Sequence, residues 1–171
     1  FPNLNKQEKV NLFNKNLKSM IRGIFDTGKA WFWNDSKINS LIEYEIFGLN
    51  KLTPTKGNLL IFKHSHHLEL DSRILGMHSE LYGVERAHNS TFMQKVQREG
   101  RLKGLNALAD KNSPITFIKW LKKNKTVLYA IDQDYGLKNS SNVDFFGIKT
   151  ATTNAPVKIV DATQCNVLFL N

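Results

Sequence analysis

Apolar residues recur at spacings of three and four near the start of the chain, at Val10, Phe13, Leu17, Ile21 and Ile24, with lysines and asparagines between them. That period predicts an amphipathic helix over 6–25. Ala30-Trp31-Phe32-Trp33 adds apolar content at its end, which prolongs the helix or docks on a membrane surface. Packing against the core is the commoner use of such an aromatic stripe. Residues 41–47 then alternate and predict a strand, 53–57 read as a turn, and 59–63 as a second strand. Helices follow from Leu68 toward Leu81, over about 91–103, and over 114–123, the last with Ser113 as N-cap and Pro114 in its first position. Strands at 126–131 and 165–170 complete the alternation. The pattern predicts an α/β fold with a largely parallel central sheet flanked by helices.

A chain of 171 residues suits one domain with a sizeable core. The single cysteine, Cys165, excludes an internal disulfide and cannot build a zinc site alone; it reads as a small core residue. The 24 basic residues exceed the 15 acidic ones by nine, which favours an anionic partner: nucleic acid, an anionic membrane face or an acidic protein. Many of the lysines, as in Lys122-Lys123-Asn124-Lys125, read as solvated helix ends and loops. No apolar run approaches the roughly 20 residues that span a bilayer, and no signal peptide is visible. The chain opens on Phe1-Pro2 and stops within a strand-like run, so both ends read as cut.

Chemistry concentrates after the apolar run 58–62, in His64-Ser65-His66-His67-Leu68-Glu69-Leu70-Asp71-Ser72-Arg73. A histidine stands five residues ahead of a carboxylate twice, as His64 with Glu69 and as His66 with Asp71. Spacing alone does not choose between them. Either pair supplies an imidazole to take a proton from a hydroxyl and a carboxylate to fix its tautomer, the base and orienting acid of acyl transfer. Asp132 and Asp134 flank Gln133 after the run 126–131, and alternation turns both to the same side. Their use in ordering a loop or cleft ranks at least equal to a catalytic one. Both motifs follow strands, and in open parallel sheets functional groups gather beyond the strands' carboxyl ends. His64, His66 and Asp134 form a competing metal-ligand set, ranked lower because no recognised zinc spacing accompanies them. Arg73, Arg86, Arg98, Arg101 and Lys111, with His88 and Asn89 among them, suit a phosphorylated substrate if they share a face.

The frame His64-x-x-x-x-Glu69-Leu70-x-x-Arg73 resembles the motif of the lipid A late (secondary) acyltransferases, the lauroyl/myristoyl-transfer branch of the lysophospholipid acyltransferase superfamily. The resemblance continues through Arg86-Ala87-His88-Asn89, Gly100-Arg101-Leu102 and Asp110-Lys111. It is strongest in Asp132-Gln133-Asp134-Tyr135-Gly136, followed by Val143-Asp144-Phe145-Phe146-Gly147 and Ala151-Thr152-Thr153. A bare His-x-x-x-x-acid is weak, but this ordered series runs along nearly the whole chain. Four positions depart from the family pattern: Ser65, His66, His67, and Lys111 where arginine is common.

The resemblance implies His64 as general base and Glu69 as its partner. It further implies Arg73, Arg86, Asn89, Arg101 and Lys111 as substrate binders, with Asp132, Asp134 and Tyr135 ordering the cleft. It implies a lysophospholipid acyltransferase-like fold, with one acyltransferase domain over 1–171 truncated at both ends and lacking the family's N-terminal membrane helix. The implied enzyme works at the cytoplasmic face of the Gram-negative inner membrane. It moves an acyl chain from acyl carrier protein to the hydroxyl of a 3-hydroxyacyl chain on a Kdo-bearing lipid A precursor. Its partners are then acyl carrier protein, an anionic glycolipid and the membrane surface, with no nucleic acid and with no metal or organic cofactor required. The alternatives are a broader lysophospholipid or glycolipid acyltransferase using acyl-CoA, a metal-dependent hydrolase, and a non-enzymatic basic module for membrane or nucleic acid.

Overall fold

Runs of four or five consecutive apolar residues are what a parallel sheet needs when helices cover both of its faces. The computed structural model describes residues 3–133, 136 and 140–171. Its strands there are β1 (Asn58–Phe62), β2 (Leu81–Glu85), β3 (Ala107–Asp110), β4 (Thr126–Ala130), β5 (Ser140–Phe145), β6 (Ile148–Thr153) and β7 (Asn166–Leu170). Five of them form one sheet in the order β3-β2-β4-β1-β7, every neighbouring pair parallel. The helices are α1 (Lys6–Phe32), α2 (Asp35–Leu41), α3 (Leu68–His78), α4 (Thr91–Arg101), α5 (Pro114–Lys122) and α6 (Ala155–Thr163). The expected α/β fold with a largely parallel sheet is the observed one.

Successive residues of each strand serve opposite faces. Leu59, Val127 and Ala109 pack with Phe117 and Leu121 of α5 and Ile159 of α6. Their neighbours Leu60, Leu128 and Leu108 pack on the other side with Leu75 of α3 and with Leu105. Each fully buried leucine or valine contributes about 1.5–3 kcal/mol of transfer free energy, so these two layers dominate the fold's stability. A third cluster, Ala30, Ile38, Leu70 and Ile74, fastens α1 and α2 to α3. The register also sets the chemistry. β1 and β4 are adjacent and end level, Phe62 beside Ala130, so whatever follows them emerges side by side.

Several boundaries differ from the expected ones. The helix expected over 6–25 runs on to Phe32, started by a capping box in which Asn5 and Glu8 satisfy each other's backbone N–H. The strand expected at 41–47 does not form. Leu41 closes α2, and the alternation of 42–46 is real, with Ile42, Tyr44 and Ile46 turned inward, but no strand among the described residues pairs with it. The helix expected to reach Leu81 stops at His78, and Leu81 opens β2. β2, β3, α2, α6 and the β5–β6 hairpin carry too few periodic residues to announce themselves.

The hairpin turns on Phe146-Gly147, both with positive φ (51° and 79°), between the paired residues Phe145 and Ile148. Such two-residue turns favour Asn-Gly, and a phenylalanine in the left-handed region is strained. Phe146→Asn is expected to stabilise the hairpin by about 1 kcal/mol, read as slower amide exchange across β5 and β6.

Candidate active site

The chain leaves β1 at Phe62 and places His64 beyond the sheet's carboxyl edge, edge-on to the Phe62 ring. Asp132 leaves the adjacent strand β4. One of its oxygens accepts the His64 backbone N–H at 2.7 Å, and the other meets the ring Nδ1 at 2.7 Å. Burial alone would push the Asp132 carboxyl up, but these two hydrogen bonds outweigh it and hold it below the usual carboxylate range. An ionised Asp132 only accepts, so Nδ1 donates to it, and in the neutral ring Nε2 is the nitrogen left with the lone pair. The contact therefore stabilises the fold above the ordinary carboxylate range and is lost as pH falls through the depressed value.

The other two histidines point elsewhere. The His66 ring is hydrogen-bonded to Ser19 of α1 at 2.9 Å and the His67 ring to Asp26 of α1 at 2.6 Å. No hydrogen bond joins His66 to Asp71. α1 approaches this loop closely, because a Cβ on Gly23 would lie 2.4 Å from the His66 carbonyl oxygen. Three histidines that look alike in sequence are thereby sorted by what each one faces, and only His64 lines the cleft.

Glu69, in the first turn of α3, differs from expectation in its partners. It accepts from Arg101 Nε at 3.0 Å and from Trp31 Nε1 at 2.9 Å, while the Nδ1 of His64 is taken by Asp132. The physical reason is the helix start at Leu68, which turns Glu69 toward α1 and α4. Arg101 reaches on to Glu85 at 3.4 Å, and Arg98 meets the other oxygen of Glu85 at 2.5 Å. Desolvation works against the Arg101 charge, but Glu69 and Glu85 more than compensate and raise its pKa further. The side chain of Glu85 is only 2% exposed. Sequence reasoning missed it because β2 went unread; a carboxylate closing a strand beside the histidine strand's neighbour was the available signal.

These groups rim a cavity of about 380 Å³, lined by His64, Glu69, Glu85, Arg86, Arg101, Lys111 and Gln133 among its polar residues. Phe62, Gly83, Leu105, Leu108, Leu128 and Ala130 supply its apolar lining. So the cavity runs from a basic rim at the strand ends into the leucine-rich layer below the sheet. Two expected binders lie apart from it. Arg73 is 6% exposed, donates to the Lys103 carbonyl and pairs with Asp35, so its charge is used to join α3 to α2. Asn89 is exposed in the loop before α4 and does not line the cavity. Asp134 and Tyr135 lie outside the described residues. Among the described residues no three His, Cys, Asp or Glu side chains converge as metal ligands.

The family model for bacterial lipid A biosynthesis acyltransferases matches residues 1–170. A lipid A biosynthesis acyltransferase of Haemophilus influenzae is 33% identical over 165 residues, which are 96% of this chain and 53% of that protein. The lipid A biosynthesis palmitoleoyltransferase of Escherichia coli is 33% identical over 159 residues, 90% of this chain and 51% of its own length. The E. coli lipid A biosynthesis lauroyltransferase is 34% identical over 157 residues, again 90% and 51%. The chain thus spans about half the length of the curated relatives it matches.

Proposed function

The chain belongs to the bacterial lipid A biosynthesis acyltransferase family, and on that premise we propose that it carries the catalytic core for one acyl transfer. The donor is an acyl carrier protein thioester, and the acceptor is the hydroxyl of a 3-hydroxyacyl chain on a Kdo-bearing lipid A precursor. The setting is the cytoplasmic face of a Gram-negative inner membrane. The observation that carries this reading is the His64–Asp132 contact of 2.7 Å at the mouth of a cavity with a basic rim and an apolar floor.

In the proposed reaction, Nε2 of His64 takes the proton of the acceptor hydroxyl while Asp132 holds the ring and stabilises the imidazolium. The oxygen adds to the thioester carbonyl, a C–O bond forms and the C–S bond breaks. The imidazolium then returns its proton to the departing thiolate, and no acyl-enzyme is needed. Glu69, which the family motif pairs with the histidine, instead holds Arg101 at the cavity wall, and its charge reaches the site through that contact. Arg86, Arg101 and Lys111 face phosphate or sugar-acid groups of the acceptor, and the acyl chain lies among Phe62, Leu105, Leu108 and Leu128. The basic surplus of nine suits both an anionic glycolipid and an acidic carrier protein.

The test gives the complete gene product, in membranes, a tetra-acylated lipid A precursor with carrier-protein and CoA thioesters in competition. Transfer mainly from the carrier protein is expected. Preference for CoA would overturn the donor, and no transfer from either would overturn the reading.

The cavity floor adds a prediction about chain length. A Cβ on Gly83 would lie 2.8 Å from the tips of Leu105 and Leu108. Gly83→Ala drives those tips into the cavity and is expected to shift the product toward shorter acyl chains. Each methylene denied its site costs about 0.8 kcal/mol, about fourfold in kcat/KM, read by mass spectrometry of the product.

A further inference from the structure

Helix α1 packs with its polar side inward. Ser19 and Asp26 face the histidine loop, Gly23 and Ala30 are buried, and all four share one side of the helix. The apolar stripe found in the sequence lies about 140° around the axis from them. Phe13, Ile24 and Phe25 are 65%, 65% and 68% exposed, and Leu17, Met20 and Ile21 are exposed with them. A helix that turns its stripe outward while still docked on its own core is built to meet a second apolar phase.

The charges say which one. α1 carries six basic residues and two acidic ones, and neither acid faces outward with the stripe. Glu8 is held in the N-terminal capping box, and Asp26 pairs with Lys29 and His67. Lys18, with Arg22 beyond it, lies along one edge of the stripe and Lys9 along the other, and all three are exposed. An apolar face edged with lysine and arginine, free of carboxylates, is the pattern of a helix lying in the interface of an anionic bilayer. It does not cross: among the described residues no helix is long and apolar enough to span a membrane.

We propose that the outward face of α1, centred on Phe13, Leu17, Ile21 and Ile24, docks in the plane of an anionic phospholipid surface. This deepens the proposed function, because a lipid acceptor must be taken from a bilayer, and it rests on that reading for its purpose. The same helix holds the site. Trp31 donates to Glu69, and Ser19 and Asp26 hold His66 and His67, so docking of α1 sets the height of the cavity mouth above the lipid.

The test is independent of acyl transfer, so it fails separately from the enzymatic reading. An environment-sensitive NBD probe is attached at Phe13→Cys, at Ile24→Cys, and at Lys122→Cys on the exposed side of α5 as control; the native Cys165 is buried. Vesicles of phosphatidylglycerol and phosphatidylcholine in equal parts, with or without doxyl-labelled lipid, are then added to the protein. Blue-shifted emission quenched by doxyl lipid at 13 and 24, but not at 122, is expected. Ile21→Asp is expected to weaken vesicle binding about tenfold. Emission at 13 and 24 that stays aqueous with vesicles present overturns the proposal. Emission already blue-shifted without vesicles overturns it too, since the stripe is then covered by protein, whether a further segment or a second copy. Equal binding to pure phosphatidylcholine vesicles overturns the requirement for anionic lipid.

Discussion

His64→Ala is expected to lower acyl transfer by roughly 10²–10⁴-fold, the usual worth of a positioned general base, while His66→Ala keeps a near-native rate. The two residues are two positions apart and chemically identical, so the contrast isolates position. His64 emerges beside Asp132 because β1 and β4 are neighbours ending in register. His66 is turned to Ser19 on the far side of the loop. Removing His64 leaves the cavity and its basic rim intact, so substrate binding persists and the loss falls on kcat. Equal losses from both variants would mean that the loop's fold, rather than one imidazole, had been measured. Thermal melts of the two variants separate these cases.

Arg101→Ala is expected to cost about 3 kcal/mol of stability, the lower end of the range for breaking a buried ion pair. The lower end applies because Arg98 still faces Glu85 after Arg101 is gone. What remains uncompensated is Glu69, left among the described residues with the Trp31 N–H, and half of the charge around the 2%-exposed Glu85 side chain. For a chain of this size that is a fall of about 6–12 °C in Tm. Arg101→Lys is a poor rescue, since a single ammonium cannot reproduce the guanidinium's several contacts with two carboxylates. The double variant Arg101→Met/Glu85→Gln is expected to recover part of the loss, because the buried carboxylate's charge is removed with its partner. Transfer activity falls in every one of these variants, as Arg101 also lines the cavity.

The sheet was legible where strands are buried on both faces and read as unbroken apolar runs. β1 and β4 are of this kind and deliver His64 and Asp132. β7 was legible by its apolar run alone, since Val167 and Phe169 are exposed at the sheet's edge. β2 was illegible because Gly83 and Glu85 interrupt its run, and with it went Glu85, the most deeply buried charge of the site. The alternation at 41–47 misled for the opposite reason: period two reports which side chains turn inward, and it does not report whether a neighbouring strand exists. α1 was legible as a helix, but its period did not say what the stripe meets. A hydrophobic period gives the side of a helix and never the phase that covers it, and here the buried side is marked by Gly23 and Ala30. The tie between Glu69 and Arg101 was beyond reach, since it spans 32 positions of sequence and depends on how α3 and α4 meet. Five-residue spacing made Glu69 the natural partner of His64, whereas Asp132 sits 68 positions away and becomes a neighbour only through the strand order.

The measurement that tests the account most directly compares transfer rates of Asp132→Asn and Glu69→Gln, each checked by circular dichroism for an intact fold. If Asp132 orients the base, Asp132→Asn loses most of the kcat that His64→Ala loses. In that case Glu69→Gln acts mainly on stability and on KM through Arg101. Near-native transfer by Asp132→Asn, with Glu69→Gln as inactive as His64→Ala, would contradict the account and return the orienting role to Glu69.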